Sequence, residues 1–215
     1  MKIEKINGFW VPSNDIHIEQ WRQGQPFTQK NCLDKFLKYC NSQNKKFKTV
    51  LDIGAWCGTW SKAMEKYCNN IIAFEPDKVN FECLMKNCTI NCNARREAVG
   101  AKTGTISLTK DNFTQAKRVE ENGSVLMHSI DYFNYKDVEM IKIDVEGYEM
   151  EVLKGAHKTI TFNDENQSNV QYIMIELNNN TKKYGSSNTE IEKHLLNLRF
   201  KVLLTHWPDK VFYRV

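Results

Sequence analysis

Apolar positions along this chain follow two alternating rhythms. Short apolar runs at 48–53 (KTVLDI), 71–75 (IIAFE), 94–100 (ARREAVG), 138–144 (VEMIKID) and 172–177 (YIMIEL) predict strands. Between them the period becomes helical. This holds for 60–68 (WSKAMEKYC), for the stretch after Asp77 that carries Phe81, Leu84, Met85 and Cys88, and for 148–160, where Tyr148, Val152, Leu153, Ala156 and Ile160 form one stripe. Such alternation predicts an α/β domain with an open, mostly parallel sheet and helices on both faces.

The flanks differ. Residues 1–30 are rich in aromatic and amide side chains without a sustained period, which predicts an irregular arm. Asn31 then caps a helix carrying Leu33, Phe36, Leu37 and Cys40. Residues 101–136 break the rhythm with a turn at Thr103-Gly104, a strand TISLT and a polar stretch over 111–123, as an insertion that shapes a substrate site would. Near the end, Thr189 and Glu192 predict a capping box for a helix through Leu198. FKVLLTHW and KVFYRV, joined at Pro208-Asp209, predict a C-terminal antiparallel hairpin. The expected division is an arm and helix over 1–47, serving as a lid with Trp21 as its best-placed residue, and one globular unit over 48–215.

Composition narrows this picture. A chain of 215 residues suits one domain. The 30 Lys and Arg are interspersed among 26 Asp and Glu, so the net charge of +4 forms no basic block and nucleic acid is not indicated. No run approaches the roughly 18 apolar residues of a membrane span, and the first residues lack the apolar core of a secretion signal. A cytoplasmic location is the expectation. Seven cysteines without a CxxC pair or a histidine at ligand spacing argue for buried free thiols rather than zinc.

The chemistry concentrates where strands meet helices. In Asp52-Ile53-Gly54-Ala55-Trp56-Cys57-Gly58, Gly54 permits a tight turn with close ligand approach, Gly58 lets the helix start near the strand, and Asp52 is expected to face a ligand's polar groups. Glu75 ends the next strand, placed to accept hydrogen bonds from both hydroxyls of a ribose. Trp56 stands where a dinucleotide fingerprint carries its pyrophosphate glycine, so a phosphate-free nucleoside such as S-adenosylmethionine fits better than NAD. The second constellation is Lys142-Ile143-Asp144-Val145-Glu146-Gly147. Lys142, inside an apolar strand, needs a partner, with Asp144 and Glu176 the candidates.

In order and spacing, DIGAWCG, AFEP, Asn80, Asn87, AVG, IKIDVEGYE, VLKGA and Ile175-Glu176 resemble the motifs of FkbM-type methyltransferases over residues 48–177. The resemblance implies a Rossmann-like class I fold and S-adenosylmethionine-dependent methylation of a hydroxyl, commonly on a sugar, glycan or other small molecule. It implies that Asp52 orients the methionine amino group, and that Gly54, Ala55, Gly58, Glu75, Pro76, Asn80, Ala98 and Val99 hold the cofactor.

For the reaction, Asp144 is nominated as base, Glu146 or Glu176 as its assistants, and Lys142 as the group that keeps the carboxylate charged. A variant has Asp144, Glu146 and Glu176 holding Mg²⁺. The rival readings are ribose 2′-O-methylation of RNA by a Lys30, Lys142, Asp144 and Glu176 tetrad, and a non-catalytic domain that binds S-adenosylmethionine.

Overall fold

A computed structural model describes residues 2–25, 30–88, 90–109, 118–121, 123–161 and 169–215. The chain opens not as an irregular arm but as a hairpin, β1 (Ile3–Ile6) and β2 (Phe9–Pro12), followed by the short helix α1 (Ile18–Arg22). Its two-residue turn is Asn7-Gly8, both at positive φ (50° and 87°), which matches the right-handed twist of the flanking strands.

Helix α2 (Lys30–Ser42) leads into β3 (Phe47–Ile53), α3 (Thr59–Met64), β4 (Cys68–Phe74), α4 (Lys78–Asn87) and β5 (Cys92–Arg95). The helix expected to run to residue 68 stops at Met64, because a 3-10 turn over Glu65–Tyr67 delivers Cys68 into β4. Asp77 caps α4, its carboxylate accepting from the N–H groups of Val79 and Asn80 at 3.0 Å each. The run 94–100 divides between β5 and β6 (Ala98–Val99), which belong to different sheets. β6 joins β7 (Gly104–Thr109), β8 (Arg118–Glu121) and β9 (Val125–His128) in a second, four-stranded sheet, so the insertion is ordered structure at least over these strands.

α5 (Ile130–Phe133) and β10 (Val138–Ile143) follow. The helical stretch 148–160 is split at Ala156 into α6 (Glu149–Gly155) and α7 (His157–Ile160). β11 (Tyr172–Glu176), α8 (Asn188–Asn197), β12 (Phe200–His206) and β13 (Asp209–Arg214) complete the chain. The cap of α8 is Ser187 with Glu190, not Thr189 with Glu192. Ser187 Oγ accepts from the Glu190 N–H at 3.3 Å, while Glu192 pairs with Lys210 at 2.7 Å.

The main sheet has the order β12-β13-β11-β10-β3-β4-β5; the five strands from β11 to β5 are parallel, and the closing hairpin is antiparallel. Alternation along β3 and β10 sends Leu51, Ile53, Ile141 and Ile143 to one face, where α5 to α8 supply Ile130, Val152, Leu153, Ile160, Ile191 and Leu195. Val50 and Met140 face the other side, under Phe36 and Cys40 of α2 and Trp60 and Met64 of α3. This is a Rossmann-like arrangement whose chain order reverses between β3 and β10.

One cysteine expectation fails. Cys88 and Cys92 are joined, their Cα atoms 5.6 Å apart, Cys88 just past the end of α4 at Asn87 and Cys92 at the start of β5. Cys32, Cys40, Cys57, Cys68 and Cys83 are free and buried as expected. Among the described residues, no helix is long and apolar enough to cross a membrane.

Candidate functional site

At the point where the chain order reverses, β3 and β10 leave the sheet side by side and a cleft opens at their carboxyl ends. The glycine of the first turn is there of necessity. Gly54 has φ +78°, and a Cβ on it would stand 1.8 Å from the Asp144 carbonyl oxygen. Gly58 (φ +86°) starts α3 against Leu84 of α4, as its place before the helix predicts.

Glu75 closes one wall. It is 6% exposed, and its carboxylate accepts from the N–H groups of Trp56 at 2.9 Å and Asp77 at 2.8 Å, with Asn80 Nδ2 at 3.5 Å. Burial pushes its carboxyl up to about 7 against the opposing pull of those N–H donors. Trp56 lines the cleft from the left-handed region, at φ 49°, as Glu146 does at 57°. Ile53, Phe74, Ala98, Val99, Leu108 and Val145 give the cleft apolar walls. Apolar walls beside a carboxylate are what a ligand with both an apolar face and hydroxyl groups requires.

The opposite end is acidic. Asp144, Glu146 and Glu176 bring carboxylate oxygens within 4.8 Å of one another, and Asp209, the register partner of Glu176, is buried beside them. Desolvation, then the charges of Asp144 and Glu146, push Glu176 up to about 9; Asp209 rises to about 7 by desolvation and the Asp144 charge. Glu146 is also raised, chiefly by burial. Beneath the cluster, Lys142 is 3% exposed and lies 2.6 Å from Gly54 O, 3.2 Å from Asp52 Oδ1 and 3.6 Å from Asp144 Oδ2. Burial works against its charge, but Asp52 and Asp144 outweigh burial and hold it firmly protonated.

A glycine turn at the reversal point, a buried acid at the end of the neighbouring strand and a carboxylate cluster at the end of the third mark out the cleft. Residues 44–202 match the Methyltransferase FkbM domain. The chain belongs to the FkbM methyltransferase family. It is 25% identical over 179 residues to Methyltransferase 1 of Beauveria bassiana (strain ARSEF 2860), covering 66% of this chain and 70% of that protein. Its fold superposes on an FkbM methyltransferase of Methylobacillus flagellatus KT with a TM-score of 0.54 and 17% identity, covering 78% of this chain but only 43% of that one. A precorrin-6y C5,15-methyltransferase of Geobacter metallireducens GS-15 gives a TM-score of 0.52 at 12% identity, with 86% and 88% covered.

Within this FkbM domain, the residues read from sequence divide into two groups. Gly54, Glu75, Pro76, Asn80, Ala98, Val99, Asp144 and Glu146 line the cleft. Asp52, Ala55, Gly58, Lys142 and Glu176 are not among the lining residues. Asp52 does not face the cleft: it is fully buried, ion-paired with Lys142 and accepting from Ser61 Oγ at 2.6 Å. The reason is register, since parallel pairing sets Lys142 directly beside Asp52. Lys142 thus meets Asp52 and Asp144, while Glu176 acts on it only at longer range.

Several lining residues escaped the sequence reading. Glu97, Leu108 and Tyr148 all border the cleft. Glu97 is bonded by Arg95 at 2.8 Å and by His128 at 3.0 Å, and His128 is not among the residues lining the cleft. Tyr148 shares its helical stripe with the buried Val152 and Leu153 yet borders the cleft. Trp60 is core, its indole N–H donating to Met174 Sδ at 3.2 Å. The side chain of Lys30 and residues 110–117, within the polar stretch, lie outside the described residues.

Proposed function

We propose that this FkbM methyltransferase moves the methyl group of S-adenosylmethionine to a hydroxyl of a sugar, glycan or similar small molecule. The observation that carries the reading is the pairing in one cleft of a nucleoside wall, with Glu75 at its edge, and a carboxylate-rich end formed by Asp144 and Glu146. S-adenosylmethionine supplies an electrophilic methyl carbon on a sulfonium. The protein must hold the acceptor oxygen in line with that carbon and exclude water.

Glu75 accepts from the ribose hydroxyls, and Pro76, Asn80, Ala98 and Val99 frame the base. Asp144 takes the hydroxyl proton as the new C–O bond forms, a contribution of about 10² to 10⁴-fold. Lys142, 3.6 Å away, sets a positive charge beside Asp144 among three other acids. Glu146 and the amide of Asn180, which donates to it at 3.1 Å, offer the alternating acceptors and donors that sugar hydroxyls use. The Tyr148 ring, against Tyr184 at 5.1 Å, offers the cleft an apolar face for a pyranose. The test is turnover of a panel of free and nucleotide-linked sugars by the wild type and by Asp144→Asn. Asp144→Asn should bind S-adenosylhomocysteine normally and lose at least 100-fold in kcat; full turnover would remove Asp144 as base.

The spacing of Asp144, Glu146 and Glu176 also suits a hard cation, and Mg²⁺ held there would polarise the acceptor hydroxyl. The metal-free reading is preferred because Lys142 already supplies positive charge beneath the cluster. It expects activity to be unchanged by chelator.

A further inference from the structure

The hairpin β1–β2 and helix α1 lie outside the matched residues 44–202, yet they reach the cleft by two routes. The first is aromatic. Trp21, 1% exposed, forms a small core with Ile6 and Val11, against which Phe9, Ile18 and Trp56 pack. The Trp21 and Trp56 rings lie 5.3 Å apart, and Asn7 Nδ2 donates to the Trp21 carbonyl at 2.6 Å.

The second route is Asn87, the last residue of α4. Its Oδ1 accepts from the Trp10 N–H at 2.9 Å, and its Nδ2 donates both to Trp10 O and to Cys57 O at 2.8 Å each. One carboxamide therefore ties the hairpin to the glycine turn. Lys86 stands 4.9 Å over the Trp10 indole and adds a cation–π contact to the same seam.

Both routes end on Trp56-Cys57, the segment that places an N–H on Glu75. Trp56 is left-handed there, at φ 49°. That conformation is strained for a bulky residue and persists only where its surroundings impose it. Trp21 packs on the ring of Trp56, and Asn87 pins the carbonyl of the next residue.

We propose that residues 3–22 are a working part of the nucleoside site, with Trp21 and Asn87 as positioning residues that hold Trp56 so that Glu75 presents its carboxylate to the ribose. This rests on the S-adenosylmethionine reading above. It replaces the expected lid with a brace, for Trp21 spends its ring on Trp56 and is not among the residues lining the cleft.

The experiment is calorimetric titration of S-adenosylhomocysteine and its 2′-deoxy analogue into the wild type, Trp21→Ala, Trp21→Phe and Asn87→Asp, with thermal melts of each. Asn87→Asp keeps the acceptor for Trp10 and removes both donated bonds. The wild type should prefer S-adenosylhomocysteine over the deoxy analogue by at least tenfold. In Trp21→Ala and Asn87→Asp that preference should collapse to within about threefold, through weaker S-adenosylhomocysteine binding alone, and Trp21→Phe should restore it. A brace with only a structural role would weaken both ligands equally, and that result, or wild-type affinities throughout, overturns the proposal. Loss of a cooperative melt in both Trp21→Phe and Asn87→Asp overturns it too, making the unit a fold element only. Failure of the wild type to bind S-adenosylhomocysteine would instead defeat the cofactor reading on which the proposal stands.

Discussion

Lys142 Nζ donates to the carbonyl oxygen of Gly54 across 2.6 Å, so one buried ammonium ties the cofactor turn to the acidic strand tip. The same group lies 3.2 Å from Asp52, which is fully buried, and 3.6 Å from Asp144. Removing one member of such a set leaves an uncompensated buried charge, which typically costs about 3–5 kcal/mol.

Lys142→Met should therefore lower the unfolding free energy by roughly that amount in urea titrations. Adding Asp52→Asn should recover part of the loss, because the stranded carboxylate is then gone. If the double variant were no more stable than the single one, Asp52 would not be the principal partner.

The acids of the site set the pH dependence of stability between pH 7 and 9. Glu176 titrates at about 9 in the folded protein, well above its ordinary value, chiefly through desolvation and secondly through the charge of Asp144. In that window the folded state holds a proton that the unfolded state has released, so stability must fall as pH rises. Glu75, Glu149 and Asp209, each near 7, add their loss mostly below this window. The buried thiols, such as Cys40 at about 11, add theirs above it, once unfolded thiols ionise. Urea midpoints of the ligand-free protein should fall from pH 7 to pH 8.5, and Glu176→Gln should flatten that fall. A midpoint that rose with pH would contradict the raised proton affinity.

How far the site was legible follows from the range of each interaction. Gly54, Glu75 and Asp144 sit at strand ends marked by local apolar runs, and their place around one cleft needed only the alternation of strands and helices. Asp52 was misplaced because its orientation depends on the register of β3 against β10, residues some 90 apart whose pairing no local pattern encodes. Asp209 looked like a turn residue; it becomes part of the acidic cluster only when β13 pairs with β11 and sets it beside Glu176. The N-terminal hairpin is different, since Asn7-Gly8 between IEKI and FWVP is a local signal, present in the sequence and passed over for want of a longer alternation.

Ligand binding should show the opposite pH trend to stability. On the proposed reading Glu75 is ionised when it accepts hydrogen bonds from both ribose hydroxyls, and before binding it holds its proton up to about pH 7. The dissociation constant of S-adenosylhomocysteine should then rise about tenfold per pH unit below 7 and level off above it. Glu75→Gln should bind roughly 10- to 100-fold more weakly at pH 8, as loss of hydrogen bonds to a charged group predicts. It should also lose the pH dependence. Titration calorimetry at pH 5.5, 6.5 and 8 measures both, and an unchanged slope in Glu75→Gln would assign the titration to another group.

Gly54 and Gly58 share a left-handed backbone but differ in what surrounds them, and that difference predicts unequal costs. In either position alanine pays about 1–3 kcal/mol for φ near +80°. At Gly58 the nearest obstacle is Leu84 Cδ1 at 2.8 Å, the far end of a side chain, which can give by small shifts where backbone cannot. At Gly54 it is the Asp144 carbonyl oxygen at 1.8 Å, fixed in the backbone at the end of a central strand. Relief there requires β3 and β10 to part, which also pulls Gly54 O from Lys142 and shifts Asp144 from the acceptor. Gly58→Ala should fold with a reduced melting temperature and measurable turnover, and Leu84→Ala should partly offset its steric cost. Gly54→Ala should lose both S-adenosylhomocysteine binding and turnover, and should fold poorly or not at all. Equal melting temperatures for the two variants would show that backbone conformation, not the approach of Asp144, sets the requirement for glycine at position 54.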